Sequence, residues 1–207
     1  MNLYFSPFAC SLATRIALYE LDLPATFQQV NLYTKHLVAD GADYLAINPK
    51  GQVPALRTDS GIILTEASAV LQYVADLDDT HRLAPPAGTI ERAILQQWLN
   101  YVATELHKAV FATLFNPASP LEAKAFARDA LLPPRYDYVS RHLESREYLL
   151  DDFSVADAYL ATSLNWAAPL GIDLGGWPIL QAYHARILQR PAVARAVGEE
   201  AALRLAD

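Results

Sequence analysis

The most informative stretch of this 207-residue chain for its fold is residues 2–20, which read Asn-Leu-Tyr-Phe-Ser-Pro-Phe-Ala-Cys-Ser-Leu-Ala-Thr-Arg-Ile-Ala-Leu-Tyr-Glu. Their pattern predicts a short strand over residues 2–5 and an amphipathic helix over residues 11–21. The only cysteine, Cys10, lies between them, where unpaired backbone N–H groups and the positive end of the helix dipole favour an anion. This setting lowers the pKa of a thiol, although a buried cysteine that only fills space is an equal alternative.

The stretch that follows alternates between strands and helices. Further strands are predicted at residues 26–32, 52–58 and 62–64. The turn Asp59-Ser60-Gly61 joins the last two strands into a hairpin. A helix is expected from Glu66 to Asp76, with Thr65 as its N-cap. This order of elements predicts an α/β domain, a mixed sheet covered by helices, over residues 1–80.

A proline-rich stretch separates this domain from the rest of the chain. Leu83-Ala84-Pro85-Pro86-Ala87-Gly88 cannot continue a helix and predicts a linker over residues 81–88. Long helical patterns follow, so residues 89–207 are expected to form an all-helical domain. The clearest helix covers residues 89–115 and has a predicted apolar stripe made by Ile90, Ile94, Trp98 and Val102.

Two local signals divide the helical part. Ser154-Val155-Ala156-Asp157 is a capping box with Asp in the usual Glu place, and it predicts the start of an apolar helix. Pro133-Pro134 lies between two segments of helical character. Because a helix interior resists proline, we expect either a break there or a new helix that starts at one of these prolines.

Composition excludes several classes of protein. One cysteine rules out an internal disulfide and a cysteine-rich metal site, and it is compatible with a reducing compartment. A net charge of −7 argues against nonspecific binding of nucleic acid. The start of the chain lacks the pattern of a signal peptide, and no apolar run approaches the roughly 18 residues of a membrane helix. A folded cytoplasmic protein without a membrane segment is expected.

Two segments of the first domain have features of a ligand site. Val53-Pro54 is a candidate cis bond that would expose the backbone N–H and C=O of Val53 to an extended peptide. A plain edge-strand proline is the equal alternative. Glu66 begins a helix, where N–H groups bind a carboxylate and its own side chain accepts an ammonium group. Taken alone, Glu66 is better interpreted as an ordinary first-turn glutamate.

One face of the long helix is polar. Asn100, Thr104, His107 and Lys108 stand at positions i, i+4, i+7 and i+8, so they share that face. It would line a cleft shared with the first domain, where His107 and Lys108 would offset the acidic net charge. Taken alone, a solvated helix face is the better interpretation. His107 does not indicate a metal site, since no second ligand follows at helical spacing.

Together these segments resemble the glutathione transferases, and specifically the bacterial beta class, over essentially the whole chain. The resemblance is carried by Tyr4-x-Ser6-Pro7-x-Ala9-Cys10-Ser11, by Leu64-Thr65-Glu66 and by residues 48–56, 98–108 and 154–159. It implies a thioredoxin-like first domain that binds glutathione and a helical second domain that shapes the site for a small hydrophobic electrophile. It also implies a homodimer and no metal cofactor.

The resemblance assigns roles to individual residues. Cys10 would face the glutathione sulfur, with Ser11 as a hydroxyl donor to that sulfur and with His107 and Lys108 nearby. Lys35 would reach the glycine end of the tripeptide. The backbone of Val53, beside Pro54, would bind the cysteinyl part. Glu66 and Ala67 would bind the γ-glutamyl end, and Asn100 and Thr104 would reach that end across the dimer. Lys108 would complete the glutathione-binding residues. Ser154 and Asp157 would serve folding.

The sequence departs from the family pattern at two places. Ala67 stands where many members have serine, which leaves the γ-glutamyl carboxylate to backbone N–H groups and Ser68. Asp151-Asp152-Phe153 stands before the capping box, where a glycine is usual. These departures concern affinity and the second substrate more than the fold.

Three functions are weighed. The first is conjugation of the glutathione thiolate to small hydrophobic electrophiles, a detoxification reaction. The second is thiol–disulfide exchange or peroxide reduction through a mixed disulfide between Cys10 and glutathione. The third is a noncatalytic carrier of hydrophobic ligands. The aromatic residues expected on the wall of the second-substrate site are Phe8, Phe111, Phe115 and Trp166.

Overall fold

The computed structural model describes residues 1–204, which divide into two compact units. The first contains residues 1–84 together with the described residues from Arg190 onward, and the second contains residues 85–189. The division after residue 84 falls inside the linker predicted over residues 81–88. The last helix, in contrast, groups with the first unit and not with the helical domain predicted over residues 89–207.

The first unit is built on a five-stranded mixed sheet with the order β3-β2-β1-β4-β5 among the described residues. The strands are β1 (Asn2–Phe5), β2 (Thr26–Asn31), β3 (His36–Leu37), β4 (Ala55–Arg57) and β5 (Ile63–Thr65). β1 runs parallel to β2 and antiparallel to β4, with Leu3 opposite Phe27 on one side and Leu56 on the other. The sheet and its β4–β5 hairpin agree with the prediction, whereas the short edge strand β3 is an addition.

Both units contain α-helices. They are α1 (Ser11–Glu20), α2 (Ala67–Ala75), α3 (Ile90–Tyr101), α4 (Ala112–Phe115), α5 (Leu121–Phe126), α6 (Leu132–Leu143), α7 (Val155–Leu164), α8 (Pro178–Leu188) and α9 (Pro191–Arg204). None of them combines the length and the apolar character needed to cross a membrane. The predicted fold class, an α/β domain followed by an all-helical one, is confirmed.

Helix α1 lies at the centre of the first unit, where it packs against α2 and α9. Residues 11–18 are all buried, which covers more than one face of the helix. The Arg190 guanidinium, just before α9, donates to both carboxylate oxygens of Glu20 at 2.7 and 2.8 Å. This two-point ion pair and the packing along α1 explain why α9 groups with the first unit.

The predicted N-cap of α2 is wrong. Thr65 is the last residue of β5, where it pairs with Ala55 of β4, so its backbone is extended. Glu66 takes the N-cap position instead, with a φ of 68° and no capping hydrogen bond from its side chain. A non-glycine residue in the left-handed region is uncommon and is held there by its surroundings.

The long helix predicted over residues 89–115 is confirmed. Thr89 caps α3 by accepting the N–H of Arg92 at 3.2 Å, and widened turns over Val102–Phe111 join α3 to α4. The predicted apolar stripe is wrong in its first half, because Ile90 and Ile94 are 69% and 41% exposed. The buried face of α3 is made instead by Arg92, Leu95, Trp98 and Leu99.

Helix α7 is buried along its whole length and forms the centre of the second unit. The predicted capping box is confirmed at its start, where the Ser154 N–H donates to the Asp157 carboxylate at 3.0 Å. The break or new helix start predicted at Pro133-Pro134 is not found, because widened turns over Ala127–Leu131 join α5 to α6 without interruption and α6 already begins at Leu132. The widened turns lie just before the two prolines and accommodate their rings and missing N–H donors.

Candidate functional site

Cys10 lies where the sequence places it, between the end of β1 and the start of α1. It is the N-cap residue of α1, and its side chain is 8% exposed. The Cys10 Sγ–H donates to the carbonyl oxygen of Val53 at 3.1 Å. A thiol, a helix N-terminus and the backbone just before β4 therefore meet at one point.

The segment from Ser6 to Ser11 is closed by its own hydrogen bonds. The Ala9 N–H donates to the Ser6 carbonyl at 3.0 Å. The Ser11 hydroxyl donates to the same carbonyl and accepts the Ser6 N–H, both at 3.3 Å. Ser11 is fully buried, and its hydroxyl closes the turn.

Two side chains hold the loop before β4. The Val53-Pro54 bond is cis, which is one of the two alternatives that the sequence left open. Asn48 Nδ2 and the Tyr44 hydroxyl donate to the Gln52 carbonyl at 2.7 and 2.8 Å, and burial raises the pKa of Tyr44 to about 12, so its hydroxyl stays a donor. These contacts fix the backbone that presents Val53.

Lys35, predicted to bind the glycine end of a tripeptide, reaches this same loop. Its Nζ donates to the Gly51 carbonyl at 2.9 Å. Gly51 has a φ of 60°, and a Cβ there would lie 3.1 Å from both Leu45 Cδ2 and Lys35 Cδ. The close approach of the lysine stem therefore depends on glycine at this position.

Glu66 presents an exposed carboxylate at the start of α2. Lys50 Nζ donates to Glu66 Oε1 at 2.5 Å and to the Thr65 hydroxyl at 2.7 Å. Ala67 is the first residue of α2 and adds only backbone there. A carboxylate and a helix N-terminus stand side by side, which suits a ligand that carries both an ammonium and a carboxylate group.

Behind the Cys10 segment lies a buried ion pair. The Arg15 guanidinium carbon lies over the rings of Phe5 and Phe27, 4.1 and 4.3 Å from their centroids, and the two rings are nearly perpendicular. Its Nε lies 3.4 Å from Oε1 of Glu200 on α9, whose side chain is 0% exposed. The other oxygen, Oε2, accepts the Phe8 N–H at 2.6 Å, and burial raises the pKa of Glu200 to about 7.

In the second unit, His107 belongs to an aromatic cluster. Its Nδ1 lies 2.8 Å from the Tyr159 hydroxyl, and its ring centroid lies 4.8 Å from that of Trp166. Phe111 and Phe115 also pack against Trp166, at centroid distances of 5.2 and 6.1 Å. Burial lowers the pKa of His107 to about 4, so the imidazole is neutral at pH 7 and does not offset the acidic net charge.

The other three residues of the predicted polar face are exposed. Asn100, Thr104 and Lys108 all lie on the solvent side of the long helix. The Thr104 hydroxyl donates to the Asn100 carbonyl at 2.9 Å, a bond within the helix itself. Among residues 1–204, no three His, Cys, Asp or Glu side chains are placed to hold a metal ion.

Known proteins match both units. Models of the glutathione S-transferase N-terminal and C-terminal domains match residues 5–77 and 102–191. Glutathione S-transferase GstA of Escherichia coli O157:H7 is 42% identical over 201 residues, which cover 97% of this chain and 98% of that protein. The chain belongs to the glutathione S-transferase family.

Solved structures of glutathione S-transferases are similar along nearly the whole chain. The bacterial beta-class enzyme of Sphingomonas chungbukensis has a TM-score of 0.92 at 43% identity, covering 97% of this chain and 98% of that chain. A sphingomonad glutathione S-transferase complexed with glutathione has a TM-score of 0.92 at 42% identity, covering 97% and 99%. The resemblance to the bacterial beta class is confirmed.

Three residues of this glutathione S-transferase site were not singled out from the sequence. Lys50 lies within residues 48–56, which carry the family resemblance, but it was assigned no role of its own, although its ammonium group contacts Glu66. Arg15 stands in a helix whose pattern gives no sign that a guanidinium is buried. Glu200 is 192 residues from Phe8, and no local pattern joins two positions so far apart.

Proposed function

We propose that this glutathione S-transferase-family protein conjugates the thiolate of glutathione to small hydrophobic electrophiles. The observation that carries the proposal is the convergence of Cys10 Sγ, the N-terminus of α1 and the Val53 carbonyl, 3.1 Å from the thiol. A glutathione sulfur beside this corner would meet backbone N–H groups that favour a thiolate over a thiol.

The tripeptide has matching groups in the first unit. The backbone of Val53, next to the cis bond to Pro54, would pair with the cysteinyl part as an added strand. The Glu66 carboxylate would accept the γ-glutamyl ammonium, and the first N–H groups of α2, at Ala67 and Ser68, would take the carboxylate. On binding, the ligand ammonium would displace the Lys50 ammonium group from the Glu66 carboxylate. Lys35 stands beside Gly51, where a carboxylate of the glycine end would find a cation.

In conjugation the chain's residues bind and orient, and the nucleophile belongs to glutathione. The bound thiol loses its proton to solvent, the thiolate attacks the electrophilic carbon, and a carbon–sulfur bond forms. With an aryl halide, the carbon–halogen bond then breaks and halide leaves. Cys10 takes no electrons in this sequence and acts through the polarity of its surroundings.

The second unit supplies the other proposed residues. Asn100, Thr104 and Lys108 are exposed on one helix face and can be reached by a ligand. His107 is neutral and paired with Tyr159, so it would contribute a fixed hydrogen-bonding group and an apolar ring rather than a charge. The rings of Phe111, Phe115 and Trp166 suit an aromatic electrophile.

A second candidate function uses Cys10 itself. The thiolate of Cys10 would attack the glutathione sulfur of a substrate–glutathione disulfide. A Cys10–glutathione disulfide then forms, and the substrate thiol is released. A free glutathione thiolate would then attack this mixed disulfide, which frees Cys10 and yields oxidised glutathione. The observation in its favour is the position of this cysteine as the N-cap residue of α1.

We also propose that the protein is a cytoplasmic homodimer that acts in detoxification. Exposed large apolar side chains support self-association, because a second copy that covered them would remove apolar surface from water. In the second unit these include Ile90, Ile94, Leu121 and Phe126. Sedimentation velocity over a range of protein concentrations tests this, and a monomer at every concentration would overturn it.

Replacement of Cys10 tests the two chemical functions against each other. Cys10→Ala is expected to keep aryl-halide conjugation within about tenfold of wild type, because the attacking sulfur is that of glutathione. Disulfide exchange is expected to vanish, because no other cysteine is present. Cys10→Ser, which keeps the size of the side chain, is the matched control and should behave in the same way.

The alternative outcomes are distinct. If conjugation is lost in both variants while exchange is fast in wild type, the redox function replaces conjugation. If wild type shows neither reaction but binds hydrophobic ligands tightly in a calorimetric titration, the protein is a carrier.

A further inference from the structure

The conformation of the Cys10 segment is not maintained by local sequence alone. Phe8, two residues before Cys10, has a φ of 60°, in the left-handed region that a phenylalanine rarely adopts. Such a backbone persists where the surrounding structure fixes it. The contacts that fix Phe8 therefore also determine where the thiol lies at the start of α1.

Helix α9 contacts Phe8 twice. Glu200 Oε2 accepts the Phe8 backbone N–H at 2.6 Å, a charge-assisted hydrogen bond when the carboxylate is ionised. The Arg204 guanidinium lies 4.9 Å from the centroid of the Phe8 ring. A helix from the far end of the chain thus holds both the backbone and the side chain of the residue that shapes the Cys10 turn.

The Glu200 side chain is poorly satisfied for a buried carboxylate. Among the described residues its Oε1 accepts no hydrogen bond and lies 3.4 Å from Arg15 Nε. The charged groups that face it are Arg15 on α1 and Glu199 and Arg204 on α9. A carboxylate that only stabilised the fold would be expected to have more donors.

We propose that Glu200 is a positioning residue for Cys10, which holds the Phe8 backbone so that the thiol stays at the N-terminus of α1. The proposal rests on the proposed function for its catalytic consequence, but not for its structural one. When the acceptor is lost, the segment before Cys10 relaxes, the thiol becomes more accessible, and turnover falls while glutathione still binds.

Two variants of equal length separate the acceptor from the charge. Glu200→Gln and Glu200→Met both remove the charge, but glutamine keeps an acceptor within reach of the Phe8 N–H. Glu199→Met is the matched control, because Glu199 also pairs with Arg15, at 3.5 Å, and its other hydrogen bonds within residues 1–204 come from Tyr19 and Arg195 and not from the Cys10 segment.

The expected result is a split between kcat and KM. Glu200→Met should lower kcat of conjugation by no more than Cys10→Ala does, at most about tenfold, with KM for glutathione unchanged, and glutamine should restore kcat to within about twofold. The rate of Cys10 alkylation by iodoacetamide, which needs no glutathione, should rise about tenfold in Glu200→Met alone. Glu199→Met should match wild type in both measurements.

Other results overturn the positioning role. If glutamine and methionine are equally defective, the charge next to Arg15 matters and not the bond to Phe8. If Glu200→Met matches wild type, or if Glu199→Met shares its defect, Glu200 does not position Cys10. Inactive wild type with faster alkylation in Glu200→Met would overturn the proposed function and keep this inference.

Amide exchange gives a measurement on wild type that needs no variant, in case Glu200→Met does not fold. The Phe8 amide hydrogen should exchange at least about a hundredfold more slowly than in an unstructured peptide. Exchange at the rate of a free peptide would mean that the bond to Glu200 is not maintained in solution, and the proposal would fail.

Discussion

Asp157 and Glu200 are two fully buried carboxylates in different units, and they are satisfied to different degrees. Asp157 accepts four hydrogen bonds of 2.8–3.0 Å, from Leu149 N–H, from the N–H and hydroxyl of Ser154, and from the Tyr183 hydroxyl. Glu200 accepts one, from Phe8, and lies beside an arginine. Burial raises the pKa of both groups.

The difference separates a folding residue from one that the site can use. The donors around Asp157 come from three segments of the second unit, so its carboxylate joins the start of α7 and the middle of α8 to the loop before α7. The donor to Glu200 comes from the turn that carries Cys10. Its environment leaves the carboxylate partly unsatisfied, which makes its protonation sensitive to conditions.

The largest effect is expected for Asp157→Ala. It leaves the N–H groups of Leu149 and Ser154 and the Tyr183 hydroxyl buried without an acceptor, and we expect a loss of about 4 kcal/mol of unfolding free energy. Urea denaturation at neutral pH measures it. Asp173→Ala, at an exposed N-cap that accepts one hydrogen bond from Gly175, is the matched control and should cost under about 1 kcal/mol.

A small effect of Asp157→Ala on the unfolding free energy would contradict the folding role of this carboxylate. It would mean that water replaces the lost carboxylate and that the helix start does not depend on it. The two buried carboxylates would then be alike in contributing little to stability.

The second prediction concerns pH and Glu200. With a pKa of about 7 in the folded state and a usual value of 4.5, the folded chain binds more protons than the unfolded chain between these values. Its contribution to stability is therefore present below about pH 4.5 and is lost as pH rises through 7. The unfolding free energy of wild type relative to Glu200→Gln should fall by about 3 kcal/mol across this window.

Glu199→Gln is the control for the pH prediction. Hydrogen bonds from Tyr19 and Arg195 outweigh desolvation and lower the pKa of Glu199. Its contribution to stability is lost as pH falls below the usual glutamate range, so the difference from wild type should be flat from about pH 5 to about pH 8. A flat profile for Glu200→Gln as well would contradict the raised pKa.

The same two residues show what the sequence could predict. Asp157 was predicted as a folding residue because Ser154 stands three positions before it, within the reach of a helix cap. The strand–helix corner at Cys10 and the cis bond at Pro54 were likewise visible in short local patterns. Patterns of this kind depend on neighbours one helical turn away, so a single sequence contains them.

Contacts between distant positions were not predictable in this way. The bond from Phe8 to Glu200 spans 192 residues and depends on how α9 packs against α1. The exposure of Ile90 and the extended backbone of Thr65 were predicted wrongly for a related reason. Burial and strand pairing depend on which elements pack against each other, and hydrophobic spacing alone does not determine that packing.

A third prediction sharpens the description of Asp157 as fully satisfied. Tyr183→Phe removes one of its four hydrogen bonds, so the remaining donors should still hold the carboxylate. We expect a loss of about 1 kcal/mol in urea denaturation. A loss as large as that of Asp157→Ala would show instead that the Tyr183 hydroxyl carries most of the interaction.

The smallest effect on stability is expected at Glu66, whose carboxylate is exposed, unlike those of Asp157 and Glu200. The side chains of Lys50 and Glu66 are 46% and 66% exposed. Because ion pairs on the surface contribute little to stability, Lys50→Met should change the unfolding free energy by less than about 0.5 kcal/mol. Its effect should appear in binding. If Lys50 competes with the ligand ammonium for Glu66, KM for glutathione will fall in Lys50→Met. A rise in KM would mean that Lys50 binds the ligand carboxylate instead, in the place left by Ala67.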